Sequence, residues 1–202
     1  MQRNQPPEND ELWRAFYQKT LNRKPSPWTK RAIDLNRTGY KIAVDCGCGT
    51  GADIHYLSNS GYQVHGFDMQ PEAIRICHER FSENALVEVE NNSFEEYDYP
   101  SCGVMIAMSS LYFADPNQFE STWQKISDSL VSGGVFAGGF LGPEDSWVGE
   151  PGRVVTPLRR EQVELLFEGY EIIEFHERNE PGKTKIGNLK HWHTFFVLAV
   201  KR

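Results

Sequence analysis

The sequence has 202 residues, of which 39% are hydrophobic and 24% are charged; it is long enough for one globular domain and too short for two ordinary ones. A formal net charge of −7 argues against a surface that binds nucleic acid or an anionic membrane. No apolar run reaches transmembrane length, and residues 1–11 lack the apolar region of a signal peptide. We therefore expect a cytoplasmic protein, monomeric or homodimeric, with neither nucleic acid nor membrane as a partner.

The cysteine pattern favours the same compartment. None of the four cysteines follows the spacing of a zinc motif, and two of them flank one glycine of a Gly-rich loop, where small residues are wanted. We predict that all are reduced and that none binds a metal: Cys46, Cys48, Cys77 and Cys102.

The N-terminal segment is predicted to form two helices. Asn9 or Asp10 is a candidate cap for a helix that ends near Leu21, and a second, short helix follows Trp28. We interpret residues 1–36 as a helical flank or lid and residues 37–202 as the single main domain.

From residue 42 onward, apolar strand-like runs alternate with helical patterns. This alternation predicts a parallel sheet covered on both faces. The last two strands lack a helix-length connection and are therefore predicted to form an antiparallel hairpin joined by about fifteen polar residues. The predicted strands span residues 42–45, 63–68, 86–89, 103–108, 135–141, 171–175 and 192–200, and a Ser-Gly-Gly break at 132–134 precedes the fifth.

The first predicted strand runs into Asp45 and then into Gly47, Gly49 and Gly51. A strand, a Gly-rich loop and a helix together form a nucleotide-cofactor cradle. The loop fits both a dinucleotide fingerprint and the acid-x-Gly-x-Gly-x-Gly loop of S-adenosylmethionine (SAM) enzymes. Asp45 favours SAM, because a carboxylate repels a pyrophosphate but attracts an ammonium and a sulfonium.

Polar residues also end the next two predicted strands. Asp68 is placed to accept hydrogen bonds from a ribose diol, or else to cap the following helix, and Met69 is placed to pack on an adenine. The segment Asn91-Asn92-Ser93-Phe94 offers an amide for the adenine edge and a ring to wall it, or else forms a plain polar turn.

Residues 33–202 resemble the class I SAM-dependent methyltransferases. The resemblance rests on VDCGCGTG, VHGFD, NNSF, MIAMSSLYF, GGVFAGGF and the closing antiparallel strand. It implies an α/β fold of three layers, Rossmann-like, with a mostly parallel seven-stranded sheet of order 3-2-1-4-5-7-6 and strand 7 antiparallel. It also implies SAM as the cofactor, S-adenosylhomocysteine (SAH) as its product, and binding over the carboxyl ends of strands 1, 2 and 4.

The resemblance further implies individual roles in the cofactor site. Gly47 and Gly51 would line the methionine moiety, Asp68 would hold the ribose and Met108 would lie beneath the cofactor. Asn92 stands where the family more often has aspartate. The predicted cofactor-binding residues are Asp45, Gly47, Cys48, Gly49, Gly51, Asp68, Met69, Asn92, Ser93, Phe94 and Met108.

The acceptor pocket is expected between the N-terminal flank, the exits of strands 4 and 5, and the last hairpin. Tyr17 and Trp28 are either pocket or lid-packing residues. His191 and His193 alternate with Trp192 and so share one face of a strand, as a base, a hydrogen-bond donor or solvated residues. The candidates are Trp13, Tyr17, Trp28, Ser109, Tyr112, Asp145, Trp147, His191 and His193.

Two shorter matches indicate narrower groups within these methyltransferases. Pro27-Trp28 is similar to a segment of thiopurine and thiol methyltransferase-like enzymes, and residues 142–147 with 190–195 are similar to tellurite-resistance-type methyltransferases. Both groups methylate soft nucleophiles or small molecules.

The predicted function is SN2 methyl transfer from SAM to a small-molecule acceptor, with a soft sulfur, selenium or tellurium nucleophile as one candidate. SAM is already activated, so positioning dominates and the sequence identifies no obligatory catalytic residue. Two alternatives stay open: a nicotinamide-dependent oxidoreductase and a SAM-binding module without turnover.

Overall fold

The computed structural model describes residues 7–202, with side chains from residue 12 onward. Two helices precede the sheet, α1 (Pro7–Thr20) and α2 (Pro27–Leu35). The prediction that Asn9 or Asp10 caps α1 is wrong, because the helix begins at Pro7, where proline suits a first turn. The hydroxyl of Ser26 caps α2 by accepting a hydrogen bond from the Trp28 backbone N–H, at 3.2 Å.

Strands and helices then alternate, as predicted. The elements are β1 (Ile42–Cys46), α3 (Ala52–Asn59), β2 (Gln63–Asp68), α4 (Pro71–Phe81), β3 (Val87–Asn91), β4 (Cys102–Ala107), a 3-10 turn (Leu111–Phe113), α5 (Phe119–Ser129), β5 (Leu130–Leu141), α6 (Arg160–Leu166), β6 (Tyr170–Lys183) and β7 (Leu189–Lys201).

The strands form one seven-stranded sheet of order β3-β2-β1-β4-β5-β7-β6. β1 to β5 pair in parallel, and β7 runs antiparallel to both β5 and β6. The predicted three-layer Rossmann-like fold and its strand order are therefore confirmed.

The core lies on both faces of the sheet, because neighbouring residues of a strand point to opposite sides. Val44 and Met105 belong to one buried cluster, whereas Ala43 and Val104 belong to the other. Trp28 joins the second cluster and stacks on Phe196 of β7 with ring centroids 6.2 Å apart. α2 is thus anchored to the sheet.

Two boundaries differ from the prediction. β5 begins at Leu130, and a register shift between Cys102 and Val104 accommodates the segment predicted to be a break. The last hairpin has no fifteen-residue polar connection. Its strands continue to Lys183 and Leu189, so the residues predicted to be a connection are paired in the sheet. The prediction missed this extension because these residues are mostly polar and exposed, and so show no apolar alternation.

This longer hairpin matters for the site. Leu141, at the carboxyl end of β5, pairs with Thr194, so residues 189–193 of β7 and their β6 partners project beyond that edge of the sheet. We call this projection the overhang (residues 179–193). It stands at the same edge as the glycine loop, because carboxyl ends of parallel strands share one edge.

Candidate cofactor and acceptor site

The glycine loop turns sharply from β1 into α3. Gly47, Gly49 and Gly51 all have left-handed φ values, of 70°, 54° and 74°. A Cβ on Gly51 would lie 2.6 Å from the Phe81 ring, and one on Gly47 would lie 2.5 Å from Cβ of Ser110. Both glycines are therefore required by space as well as by backbone conformation.

Asp68 lies at the carboxyl end of β2 and faces this loop. Its carboxylate accepts hydrogen bonds from the backbone N–H groups of Gly49 and Gln70, each at 2.9 Å. Burial raises the pKa of Asp68 to about 6, although these two hydrogen bonds oppose the rise. The N-cap position of α4 belongs to Gln70, so the alternative reading of Asp68 as the helix cap is wrong.

Asp45 is a second buried acid at the loop, with 3% of its surface exposed. Its Oδ2 has no hydrogen-bond partner among the residues that the structure describes. Burial, followed by the neighbouring Asp53, raises the pKa of Asp45 well above its usual range, whereas Arg23 opposes the rise. A buried acceptor without a donor suits a ligand that carries an ammonium.

The polar segment after β3 joins the exit of β2. The Asn91 side-chain amide and the Asn92 backbone N–H both donate to the Asp68 carbonyl oxygen, at 2.9 and 3.1 Å. Asn92 Oδ1 in turn accepts from the Ser93 N–H at 3.0 Å. Phe94 is buried against Phe67, with ring centroids 5.2 Å apart.

Two other predicted cofactor residues lie nearer the surface. Met69 follows Asp68 and is 38% exposed, while Met108 is half-buried just after β4. Cys48, in contrast, is buried at the centre of the loop, and the sulfur of its neighbour Cys77 donates to the Gly49 carbonyl oxygen at 3.3 Å. All four cysteines are free thiols.

These features fit SAM. The three glycines leave room for close approach to the backbone, the unpartnered Asp45 oxygen suits an ammonium, and Asp68 presents a carboxylate to a diol. The loop and the two acids come from adjacent strands, so a single ligand at the sheet edge can contact all of them.

The N-terminal flank is fastened to the glycine loop through Asp53, which sequence reasoning missed. Asp53 is fully buried on α3 and accepts from Arg23 Nη2 at 2.6 Å, and from the Ser26 backbone N–H and Thr29 Oγ1 at 2.7 Å each. The Thr50 hydroxyl of the loop also donates to the Thr20 carbonyl, at 3.0 Å. An acid one residue into α3 was the only sequence signal.

The region expected to be the acceptor side contains a buried ion pair that sequence reasoning also missed. The Lys190 ammonium, on the overhang, donates to Asp145 Oδ1 in the loop after β5. The same nitrogen lies 3.4 Å from the ring centroid of Trp147 and 3.9 Å from that of Trp192. Desolvation lowers the pKa of Lys190, while Asp145 opposes that change. Two aromatic faces and one carboxylate thus enclose the ammonium.

The histidines of the overhang face β6. His191 Nε2 lies 2.5 Å from Asn179 Oδ1, and His193 Nε2 lies 3.1 Å from Glu177 Oε1. His193 is buried, and its Nδ1 accepts from the Glu144 backbone N–H at 3.2 Å, so Nε2 carries the hydrogen. The two rings share one face of β7, and both nitrogens of His193 are already hydrogen-bonded.

A row of aromatic rings connects α1 with the overhang. Trp13 of α1 contacts Phe113 at a centroid distance of 5.7 Å, Phe113 contacts Trp147 at 5.8 Å, and Trp147 contacts Trp192 at 5.3 Å. Tyr112 lies beside Phe113 and Trp147. The structure therefore brings together Trp13, Tyr112, Trp147 and Asp145, and it adds Phe113 and Lys190.

Ser109, at the exit of β4, is exposed and has a left-handed φ of 58°. It is the one non-glycine residue with a positive φ among those that the structure describes. Such a conformation in a serine is sparsely populated and is typical of residues beside a functional site.

Among the side chains of residues 12–202, three or more potential ligands from His, Cys, Asp and Glu nowhere cluster in a way that could hold a metal ion. None of the helices described is both long and apolar enough to cross a membrane.

Part of the sequence matches a known family model, and the fold resembles several solved structures. Residues 43–134 match a family model described as a methyltransferase domain. No curated protein sequence matches the chain.

Several solved structures share the fold. TehB from Haemophilus influenzae superposes with a TM-score of 0.70 at 16% identity, over 86% of this chain and 62% of TehB, so the chain spans less than two thirds of TehB. The N-methyltransferase NodS from Bradyrhizobium japonicum, solved with SAH, gives 0.64 at 13% identity, over 92% and 96% of the two chains. A chain in the Haloferax volcanii complex of the Trm112 methyltransferase activator with a methyltransferase gives 0.69 at 16%, over 96% of each.

Proposed function

We propose that this chain is a class I SAM-dependent methyltransferase, and that it transfers the methyl group of SAM to a small-molecule acceptor with a soft nucleophile, such as a thiol or a selenium or tellurium oxyanion. The observation that carries this proposal is the aromatic row from Trp13 to Trp192, which walls the acceptor side with polarizable rings.

The acceptor side also favours a small ligand over a macromolecule. Lys190 and Asp145 neutralise each other inside the wall, and their side chains are 4% and 0% exposed. They therefore offer no free charge to a polyanion such as nucleic acid. A compact nucleophile between aromatic rings requires no extended charged groove.

The proposed mechanism relies on position. Bound SAM supplies a methyl group on a positively charged sulfonium. The loop glycines and Asp68 hold and orient the nucleoside and amino-acid parts, Asp45 accepts from the ammonium, and the aromatic row excludes water from the acceptor. Such orientation accounts for up to about 7–11 kcal/mol of barrier lowering in favourable cases. A thiolate needs no general base, which agrees with a His193 whose ring nitrogens are both hydrogen-bonded.

The proposal also covers the domain organisation, the compartment and the partners of the protein. Residues 1–36 act as a flank or lid on a methyltransferase domain of residues 37–202. The protein works in the cytoplasm as a monomer or homodimer, without nucleic acid or membrane as a partner. Four free thiols, all buried, support a reducing compartment.

The test is incubation of the protein with methyl-labelled SAM and a matched panel of thiols, selenite, tellurite, amines and phenols. We expect labelled product and SAH release with a thiol or one of the oxyanions, and none with amines or phenols. Turnover of amines alone would overturn the soft-nucleophile assignment. SAH binding without turnover of any acceptor would favour a non-catalytic SAM-binding module.

A further inference from the structure

Tyr17 of α1 contacts the glycine loop directly. Its ring carbon Cε1 lies 4.0 Å from the position that a Cβ on Gly49 would occupy. The Trp13 ring stacks beside it at a centroid distance of 5.9 Å and an interplanar angle of 20°. Only 2% of the Tyr17 surface is exposed. The side chain is therefore packed over the cofactor loop, away from the solvent.

The hydroxyl of Tyr17 is buried and has no hydrogen-bond partner among the residues that the structure describes. Burial and then the nearby Asp68 raise the pKa of Tyr17 far above its usual range, so the phenol keeps its proton. A buried donor without an acceptor is costly, and phenylalanine would fill the same space without that cost. The hydroxyl thus needs an acceptor that the described part of the chain does not provide.

In the glycine loop beneath Tyr17, most backbone N–H groups already donate hydrogen bonds within the chain. The N–H groups of Gly47 and Cys48 donate to the Phe67 carbonyl oxygen, that of Gly49 donates to Asp68, and that of Gly51 donates to the Cys48 carbonyl oxygen. SAM carries a carboxylate and ribose oxygens that need hydrogen-bond donors. A donor from outside the loop would help to meet this need.

We propose that Tyr17 is a cofactor-binding residue, whose hydroxyl donates a hydrogen bond to an oxygen of bound SAM and so couples α1 to the cofactor. This inference rests on the proposed function, and it moves Tyr17 from the expected acceptor pocket to the cofactor site. It also explains why α1 is fastened to the loop at Thr20 and Thr50.

The experiment compares Tyr17→Phe with the wild type by titration calorimetry with two ligands, SAH and 5′-methylthioadenosine, which lacks the amino-acid part. We expect about 10-fold weaker SAH binding by the variant, the size of one lost hydrogen bond in a desolvated site. Its melting temperature without ligand should be unchanged or higher, because an unpaired buried hydroxyl has been removed. Equal weakening for both ligands indicates a ribose oxygen, and weakening for SAH alone indicates the carboxylate; both support the proposal.

The matched control is Thr122→Val. Thr122 on α5 also has a buried hydroxyl without a partner among the described residues, and α5 packs on β5. This variant should keep the SAH affinity of the wild type. Hydrogen exchange gives a second measurement: SAH should slow exchange of the α1 amides in the wild type and slow it less in Tyr17→Phe.

Two outcomes would overturn the inference in different ways. Unchanged SAH affinity in Tyr17→Phe, with or without a lower melting temperature, would make Tyr17 a packing residue and leave the proposed function intact. A wild-type protein that binds neither ligand would overturn the inference and the proposed function together.

Discussion

The two halves of the site are built in different ways. The cofactor edge, meaning the glycine loop with Asp45 and Asp68, depends on backbone conformation and on contacts between adjacent strands. The acceptor side, meaning the loop after β5 and the overhang, depends on side chains that are distant in sequence, such as Asp145 and Lys190. The first is a property of one motif, and the second exists only when the hairpin has paired. The difference implies that each half can be damaged without the other.

The largest effect is expected from Lys190→Ala. The substitution leaves the fully buried Asp145 carboxylate without its counter-ion, which typically costs about 3–5 kcal/mol. Chemical denaturation should show this loss, while the SAH affinity of the folded fraction stays within about two-fold of the wild type.

The control for this prediction is the double variant Asp145→Asn with Lys190→Met. It removes both charges and keeps similar volumes, so it should recover most of the lost stability. If Lys190→Ala abolished SAH binding in protein that is still folded, the two halves of the site would not be independent.

A somewhat smaller effect is expected from Gly51→Ala. The new Cβ combines a left-handed backbone with a clash against the Phe81 ring, for a total loss of about 3 kcal/mol in the free energy of unfolding. Gly39→Ala is the matched control, because Gly39 has a φ of 75° but no atom within 4 Å of the added Cβ. It should lose only about 1 kcal/mol. Equal losses at both positions would contradict the packing role given to Gly51.

The smallest change in free energy is expected from Asp68→Asn, and the quantity that changes is the free energy of SAH binding. The amide nitrogen would face one of the two backbone N–H donors, and the charge-assisted bonds would be lost, so SAH should bind about 10- to 100-fold more weakly. Asp128→Asn on the exposed face of α5 should leave the affinity unchanged. An unaltered SAH affinity in Asp68→Asn would contradict the ribose assignment.

Asp68 also predicts a pH dependence. The pKa of about 6 in the folded protein lies above the usual value of 3.8, so the folded state holds this proton more tightly than the unfolded state. Between about pH 4 and 6, this group therefore lowers stability as the pH rises, and the ionised acceptor form increases over the same range. SAH affinity measured by calorimetry should rise as the pH passes through 6, and this step should be absent in Asp68→Asn.

Local sequence patterns were enough to predict most of the residues at the cofactor edge. Asp45, the three glycines and Asp68 stand where a strand ends, and the carboxyl ends of parallel strands necessarily share one edge. Their nearness follows from the order of the strands, which the resemblance to a known family implied. The bounds of β2 and α4 also agree with the sequence, because Pro71 and a clear apolar period mark them.

Periodic patterns along single segments predicted the alternating strands and helices, the cofactor loop and the face shared by His191 and His193, and the family resemblance added the order of the strands. Only the tertiary structure decided the partners of Lys190, Asp53 and Tyr17. In a sequence, a single lysine, aspartate or tyrosine is interpreted as a solvated or packing residue. The partners of Asp53 and Lys190 lie 24 to 45 residues away along the chain, so only the folded structure identifies them. Long-range contacts carry no local periodicity, so the pairing of Lys190 with Asp145 and the contacts of Asp53 became visible only in the folded structure.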